Sequence, residues 1–354
     1  MKNLLYLIDS LSLGGAETIV VNTLNYINDK YPDIKITLAT TVTDGGVLKK
    51  KLNNTIQYRH FKCTKDHFFK GVFQLKKYAQ AHHITHIHAH LFHSIIIGRL
   101  IKISSVNLFE TYHNLEYDKR SVYYSWWRVY LDKLTYKRNS FSIYVSEDVA
   151  KPVQRLRKHK NNHVLLNNFA GMEFVYKYNF TNNNTLKLIA IGNLKLDKNF
   201  IYALETFTHF KSFSISLDIY GEGPLRAEFE NFIKINNIRV RLMGRHQMNS
   251  NILSSYDAFL MTSLNEGMPI SLLEAMGVGL PSVLPSHLPV MKEVAQTSAR
   301  YFSIIDFNDL PKLLVEILEN KEMLSAMSIT AAHQSKLYNI DTHVSKLLEV
   351  YTKQ

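Results

Sequence analysis

Short apolar runs alternate with longer amphipathic stretches along most of the chain. Residues 4–9 form an apolar run that ends on Asp9, and apolar positions at Ile19, Val20, Leu24 and Ile27 then recur at helical spacing. The same reading predicts strands over 34–41, 56–58, 84–91, 106–112, 142–145 and 164–166, with helices over 68–81 and 121–136 and a short helix capped by Ser146. A second series follows. Strands are expected over 186–191, 214–220, 240–243, 258–261 and from Leu280, and helices over 200–210, 225–236, 251–255 and 270–276. The chain reads as helical after Ser303, with a break at 338–341 and a last helix over 342–351. Strands alternating with helices predict parallel sheets, hence an α/β protein with two Rossmann-like, doubly wound domains. The expected division is 1–168, a polar linker over 169–185, a second domain over 186–337, and a C-terminal helix, 338–354, returning to the first domain. Ligands of such sheets bind at the carboxyl ends of the strands, so two such edges are expected to face a cleft.

The loops expected at those edges carry the candidate chemistry. Residues 265–282, Asn-Glu-Gly-Met-Pro-Ile-Ser-Leu-Leu-Glu-Ala-Met-Gly-Val-Gly-Leu-Pro-Ser, place a turn with an acid (Glu266) before a helix with a second acid (Glu274). Pro269 and Ser271 suit the helix start and Gly277 its end. The unpaired N–H groups of its first turn, at the positive end of the helix dipole, suit a diphosphate. Glu274 would repel phosphate and suits sugar hydroxyls instead; taken alone it reads equally as a surface carboxylate. Lys198, in the loop after the first strand of the second series, can neutralise a leaving diphosphate, or be merely solvated. His113, at the end of the strand over 106–112, can donate to a developing anion or orient a hydroxyl, or lie in a surface loop. The glycine pair Gly14-Gly15 between the first strand and helix lets backbone approach a ligand, although tight turns need glycine in any case.

Two further clusters stand out. His82, His83, His86, His88, His90 and His93 crowd one strand, and His86, His88 and His90 share a face. They fit either a metal site or the polar lining of a cleft; with no cysteine nearby and no third or fourth ligand at a recognisable spacing, the reading is no metal. Tyr123, Trp126, Trp127, Arg128 and Tyr130, between Lys119-Arg120 and Lys137-Arg138, suit a membrane interface or an ordinary packed helix.

Composition narrows the class. The 354 residues are 46% hydrophobic and 20% charged, ample for two cores. No apolar run approaches the ~20 residues that span a bilayer. The first residues read as a strand, not a signal peptide, and the single cysteine, Cys63, fits a reducing compartment, the cytoplasm by default. Residues 1–170 hold 25 Lys+Arg and 12 Asp+Glu, whereas the remainder holds 17 and 18. The excess of +12 therefore lies in the first half, which is expected to face something anionic: a membrane surface, nucleic acid or a phosphorylated substrate.

In order along the chain stand Gly14-Gly15-Ala16-Glu17, the run His88 to His93, Thr111-Tyr112-His113-Asn114, Val145-Ser146-Glu147, Ile191-Gly192-Asn193 through Lys198-Asn199, Tyr220 to Pro224, and Glu266 to Ser271 with Glu274. On these motifs the chain resembles the retaining GT-B glycosyltransferases of glycosyltransferase family 4, the type that builds bacterial surface polysaccharides. The resemblance implies that Gly14 and Gly15 bring backbone to the diphosphate of a nucleotide-sugar donor, a UDP-sugar, and that Lys198 binds it from the second domain. It implies Glu274 on the ribose, Glu266 at the donor sugar beside backbone from Gly267, Met268, Pro269 and Ile270, Gly244-Arg245 near the base, and His113 at the reacting face. Front-face transfer with the leaving phosphate as base needs no metal and no cofactor. Asn193 stands where the family often has arginine, so one diphosphate cation is missing. The implied partners are the nucleotide sugar, a saccharide acceptor on a lipid diphosphate, and the inner face of the cell membrane, where Trp126, Trp127 and Arg128 are the contact candidates; nucleic acid is not expected. An epimerase or hydrolase on the same scaffold and a non-catalytic nucleic-acid-binding protein are the alternatives.

Overall fold

The computed structural model describes residues 2–101, 103–119, 121–122, 124–136, 139–157, 162–171, 184–210 and 214–353. By contacts the chain divides into one unit of Met1–Gly171 with Ile340–Gln354, and a second of Met172–Asn339.

Along the first unit run β1 (Asn3–Ile8), α1 (Gly15–Lys30), β2 (Lys35–Thr40), β3 (Gln57–His60), α2 (Phe68–Ala81), β4 (His86–His90), α3 (Phe92–Ile101), β5 (Asn107–Tyr112), α4 (Trp126–Thr135), β6 (Phe141–Tyr144), α5 (Glu147–Leu156) and β7 (His163–Leu165). Among the described residues the strands form one parallel sheet in the order β3-β2-β1-β4-β5-β6-β7. The order reverses between β1 and β4, whose register sets Tyr6 beside His88. α1 buries Ile19, Val20, Val21, Leu24 and Ile27, the face its apolar spacing marks out. Ser146 caps α5 by accepting from the Val149 amide.

The second unit runs β8 (Leu186–Ile191), α6 (Phe200–Phe207), β9 (Ile215–Tyr220), α7 (Arg226–Asn236), β10 (Val240–Gly244), α8 (Ser250–Ser254), β11 (Ala258–Leu260), α9 (Ile270–Gly277), β12 (Ser282–Pro285), α10 (Pro289–Ala295), β13 (Ala299–Phe302), α11 (Asp309–Glu319) and α12 (Glu322–Ser335). Its parallel sheet has the order β10-β9-β8-β11-β12-β13, reversing between β8 and β11. Leu186, Leu188 and Ala190 alternate into a core shared with Phe200, Leu204, Phe207 and Phe229.

The last helix, α13 (Ile340–Thr352), belongs to the first unit and packs on α1. His86 Nε2 donates to the Tyr351 carbonyl at 3.1 Å, and the Tyr351 hydroxyl meets His88 Nδ1 at 2.6 Å and the Tyr6 hydroxyl at 2.5 Å. His343 Nδ1 donates to the Asn167 carbonyl at 2.8 Å.

Both sheets are the doubly wound α/β arrangement that the strand–helix alternation predicts. Several local expectations are corrected. The helix expected over 121–136 begins only at Trp126, since the described residues among 121–125 form no helix. α3, α10 and β13 have no counterpart in the sequence reading. α3 escapes because eight of its ten residues are buried, including Ile95-Ile96-Ile97, which removes the one-sided pattern that marks a surface helix. Most of the expected linker (172–183), with Arg120, Tyr123, Lys137 and Arg138, lies outside the described residues.

Candidate donor and acceptor sites

In the second unit, the two loops that leave the sheet at its reversal point are stitched together. The loop after β8 ends on Lys198, and the loop after β11 carries Glu266. Leu264 donates its N–H to the Asp197 carbonyl at 2.8 Å, and Thr262 Oγ1 donates to the Lys198 carbonyl at 2.9 Å. Lys198 Nζ lies 2.5 Å from Glu266 Oε1, which also accepts from Ser263 Oγ at 2.8 Å. The two side chains are 22% and 10% exposed, so the pair is held at the edge of the fold with a face still open. Burial works to lower the Lys198 pKa, but the adjacent carboxylate outweighs it and the net shift is upward, so the ammonium stays charged.

Glycines make this packing possible. A Cβ on Gly192 would press on the Lys198 stem at 3.3 Å. At Gly221, with φ +155°, a Cβ would come within 1.8 Å of the Gly192 carbonyl oxygen, so only glycine lets the loop after β9 lie against the loop after β8. The Gly221 N–H donates to the Gly244 carbonyl at 2.8 Å, which brings the end of β10 beside the same loops. Arg245 follows, exposed, and Asn193 is half-buried in the loop leading to Lys198.

Pro269 caps α9 with extended backbone and no side-chain hydrogen bond, so the first amides of the helix have no capping side chain. Gly267, Met268 and Pro269 are buried, Ile270 is half-buried, and Glu274 lies one turn further on, also half-buried. Lys198, Glu266 and the start of α9 thus come from neighbouring loops at one sheet edge. The arrangement offers a cation, a row of amide donors and two carboxylates, the mixture that a nucleoside diphosphate with sugar hydroxyls requires.

In the first unit Gly14 caps α1 and Gly15 is its first residue, so the start of a 16-residue helix follows β1. The histidines are mostly internal. His88 Nε2 meets Thr111 Oγ1 at 2.6 Å, and His90 Nδ1 meets His113 Nε2 at 3.0 Å. With His343 these rings line a cavity of about 20 Å³, room for roughly one water. Burial pushes His113 down to about 3 and His343 to about 4, with His88 and His90 also well below the ordinary value, so the group is neutral. Among the described residues no group of three or more His, Cys, Asp or Glu is arranged to hold a metal ion. His113 Nδ1 and His90 Nε2 are both buried with no hydrogen-bond partner, two ring positions that a water in this cavity can satisfy.

On α4 the two tryptophans diverge. Trp126 is 73% exposed, whereas Trp127 packs edge-on against Phe92 with ring centroids 5.7 Å apart. Arg128 is drawn back onto Glu116 at 3.3 Å and over the Phe92 ring. Tyr130 and Leu134 continue the exposed face at i+4 and i+8 from Trp126. Sequence reasoning passed over a second such face: on α2, Phe69 is 85% and Phe73 57% exposed, with Lys77 Nζ 4.6 Å from the Phe73 ring centre. Its signal was available in Phe68-Phe69-Lys70 through Lys76-Lys77. No helix among the described residues is long and apolar enough to cross a membrane.

Comparison with known proteins agrees with the two-part layout. Residues 13–168 match the family described as Glycosyltransferase Family 4, and residues 185–320 match Glycosyl transferases group 1. The fold matches HepE of Anabaena in complex with UDP and glucose with a TM-score of 0.83 at 14% identity, covering 100% of both chains. It matches a mutant of S. aureus TarM in complex with fondaparinux, alpha-GlcNAc-glycerol and UDP with a TM-score of 0.80 at 12% identity, covering 99% of this chain and 100% of that one. Identities this low speak for the fold alone. The two matched segments together take in most of the sequence, so the chain carries a glycosyltransferase family 4 domain followed by a glycosyl transferases group 1 domain, on the fold of these solved structures. Among particular relatives, the UDP-Gal:alpha-D-GlcNAc-diphosphoundecaprenol alpha-1,3-galactosyltransferase of Escherichia coli is 28% identical over 179 residues, 48% of this chain and 46% of that protein. The GtfA subunit of the UDP-N-acetylglucosamine–peptide N-acetylglucosaminyltransferase of Limosilactobacillus reuteri is 35% identical over 100 residues, 27% of this chain and 19% of that protein. The chain thus aligns with between about a fifth and a half of the length of these relatives.

Proposed function

We propose that this chain transfers a sugar, with retention of configuration, from a UDP-sugar to a saccharide acceptor. The observation that carries the reading is the Lys198–Glu266 pair beside the unclosed start of α9, at the reversal point of the second sheet. UDP in the neighbour of known structure and UDP-sugars in the names of the relatives support the choice of donor.

In this reading the donor diphosphate competes with Glu266 for Lys198. The ammonium and the amides of Gly267, Met268 and Ile270 take up the charge that grows as the sugar C1–O bond breaks; Pro269 has no N–H to give. Asn193 adds a hydrogen bond without charge, which leaves more of the load on Lys198. Glu266, released, turns to the donor sugar, and Glu274 accepts from the ribose hydroxyls. Gly244 and Arg245 serve the base. Gly14, Gly15 and the neutral His113, with Nδ1 unspent, are the contribution of the first unit. The acceptor oxygen bonds to C1 on the face that the phosphate leaves, and its proton passes to the departing phosphate, so the residues need supply no metal and no separate base.

A lipid-diphosphate-linked acceptor at the inner face of the cell membrane, in surface polysaccharide synthesis, completes the proposal. The basic excess of residues 1–170 and the exposed Trp126, Tyr130 and Leu134 support it, with Arg128 turned toward Glu116 and Trp127 half-packed behind them.

Incubation with UDP-glucose, UDP-galactose and UDP-N-acetylglucosamine tests the reaction. Transfer that needs an added saccharide and gives an α-linked product by NMR is expected. Complete conversion of the UDP-sugar with no acceptor present would instead make the chain an epimerase or hydrolase.

A further inference from the structure

The first sheet also reverses its order, between β1 and β4, and a polar group stands at the carboxyl ends of those strands that the donor site does not use. Asp9 follows β1 directly. Its Oδ1 accepts from the Ser94 amide at 3.0 Å and from Ser94 Oγ at 2.7 Å, and Ser94 Oγ is itself tied to Thr41 Oγ1 at 2.8 Å. Its Oδ2 lies 2.9 Å from His93 Nδ1. The part of Asp9 that caps α3 is structural, and His93 is not needed for it. His93 is nevertheless 48% exposed and anchored by one nitrogen to a carboxylate that two other hydrogen bonds have already fixed. Nδ1–H on Asp9 leaves Nε2 as the outward edge of the ring, and no described residue hydrogen-bonds to it.

The neighbouring groups belong to the same patch. Glu116 feels the charges of Asp9 and His93, bonds to Asn114, and holds Arg128 at 3.3 Å; burial raises its carboxyl pKa against the pull of Arg128. Trp127 offers a part-exposed ring edge-on to Phe92, whose ring also lies edge-on to His93. An oriented imidazole, carboxylates, a guanidinium and an aromatic face within one patch match a sugar, which presents hydroxyls at its rim and C–H groups on its faces.

We propose that Asp9 and His93 form a hydroxyl-recognition site for the saccharide acceptor, in which His93 Nε2 accepts the hydrogen of a sugar hydroxyl and Asp9 positions the ring. The inference rests on the transferase reading given above. It concerns binding and orientation, and no bond is made or broken at His93.

The test uses the full chain saturated with UDP on an array of immobilised oligosaccharides, with UDP affinity measured separately by calorimetry. Wild-type protein is expected to be retained on a subset of the glycans. His93→Ala and Asp9→Asn are expected to lose that signal at least tenfold while UDP affinity stays within twofold and Tm is unchanged. His93→Gln, whose amide reaches the Nε2 position, is expected to recover part of it. Full retention by His93→Ala, or a wild-type chain that binds UDP and no glycan, overturns the proposal and leaves the donor reading standing. Failure of the wild type to bind UDP overturns the donor reading itself.

Discussion

The two sheet edges are built from similar residue types and put to different uses. In the first unit the charged and imidazole groups are largely sealed. Arg99 is fully buried, its Nε 2.7 Å from Glu110 and its Nη2 2.9 Å from Asp132, with Arg157 closing the group; His88, His90, His113 and His343 are buried and neutral. In the second unit the Lys198–Glu266 pair stands part-exposed beside the start of α9, whose N-cap Pro269 makes no side-chain hydrogen bond. The six-histidine cluster is the loudest feature in the sequence, yet the rings at its centre mostly hold α13 and β5 to the sheet. A group poised for a ligand is marked less by its residue type than by an open face and a partner it can exchange.

Substitutions should therefore separate along this line. The largest effect is expected from Glu110→Ala, which leaves Arg99 buried without its bidentate partner and should cost about 3–5 kcal/mol of stability. Urea denaturation measures it, and a loss below 1 kcal/mol would mean that the cluster is not the structural element described. Next comes Lys198→Ala. Turnover should fall about 100-fold or more while the urea midpoint barely moves, because the missing cation acts on the developing phosphate charge. An equal loss of stability would put this pair in the same class as the first unit's cluster.

Acid provides a third way to break the comparison. Folded His113 and His343 stay neutral down to about 3 and about 4, whereas the unfolded chain takes up protons near 6.5. Stability is full above that ordinary value and falls as pH drops below it, by up to about 1.4 kcal/mol per pH unit for each histidine. Denaturation at pH 7, 6 and 5 should show the loss, and His343→Asn should flatten the slope. A pH-independent midpoint would mean that the buried rings are charged. The smallest effect on the fold is expected from Trp126→Ser with Phe69→Ser, within about 0.5 kcal/mol because both side chains are exposed. Binding to vesicles containing phosphatidylglycerol should nevertheless drop, and undiminished binding would remove the membrane contact from these two helices.

Much of this was legible in the sequence. The apolar runs at 186–191 and 214–220 and the amphipathic stretch at 68–81 locate their elements to within a residue. Residues Glu266 to Glu274 form a contiguous turn and helix start that local rules can read. The pairing of Lys198 with Glu266 was not legible, since 68 residues separate them and only the adjacency of β8 and β11 joins their loops. Asp9 and His93 are 84 residues apart for the same reason. Burial of His113 was likewise hidden, because its cover comes in part from α13, at the far end of the chain.

The claim that the second unit holds a nucleotide diphosphate through Lys198 is tested most directly by titrating UDP into the wild-type chain and into Lys198→Ala by calorimetry. The wild type is expected to bind UDP and the variant to bind it at least about tenfold more weakly, the loss of one charge-assisted contact. Equal affinity in the two proteins, or no heat of binding in the wild type, would contradict it.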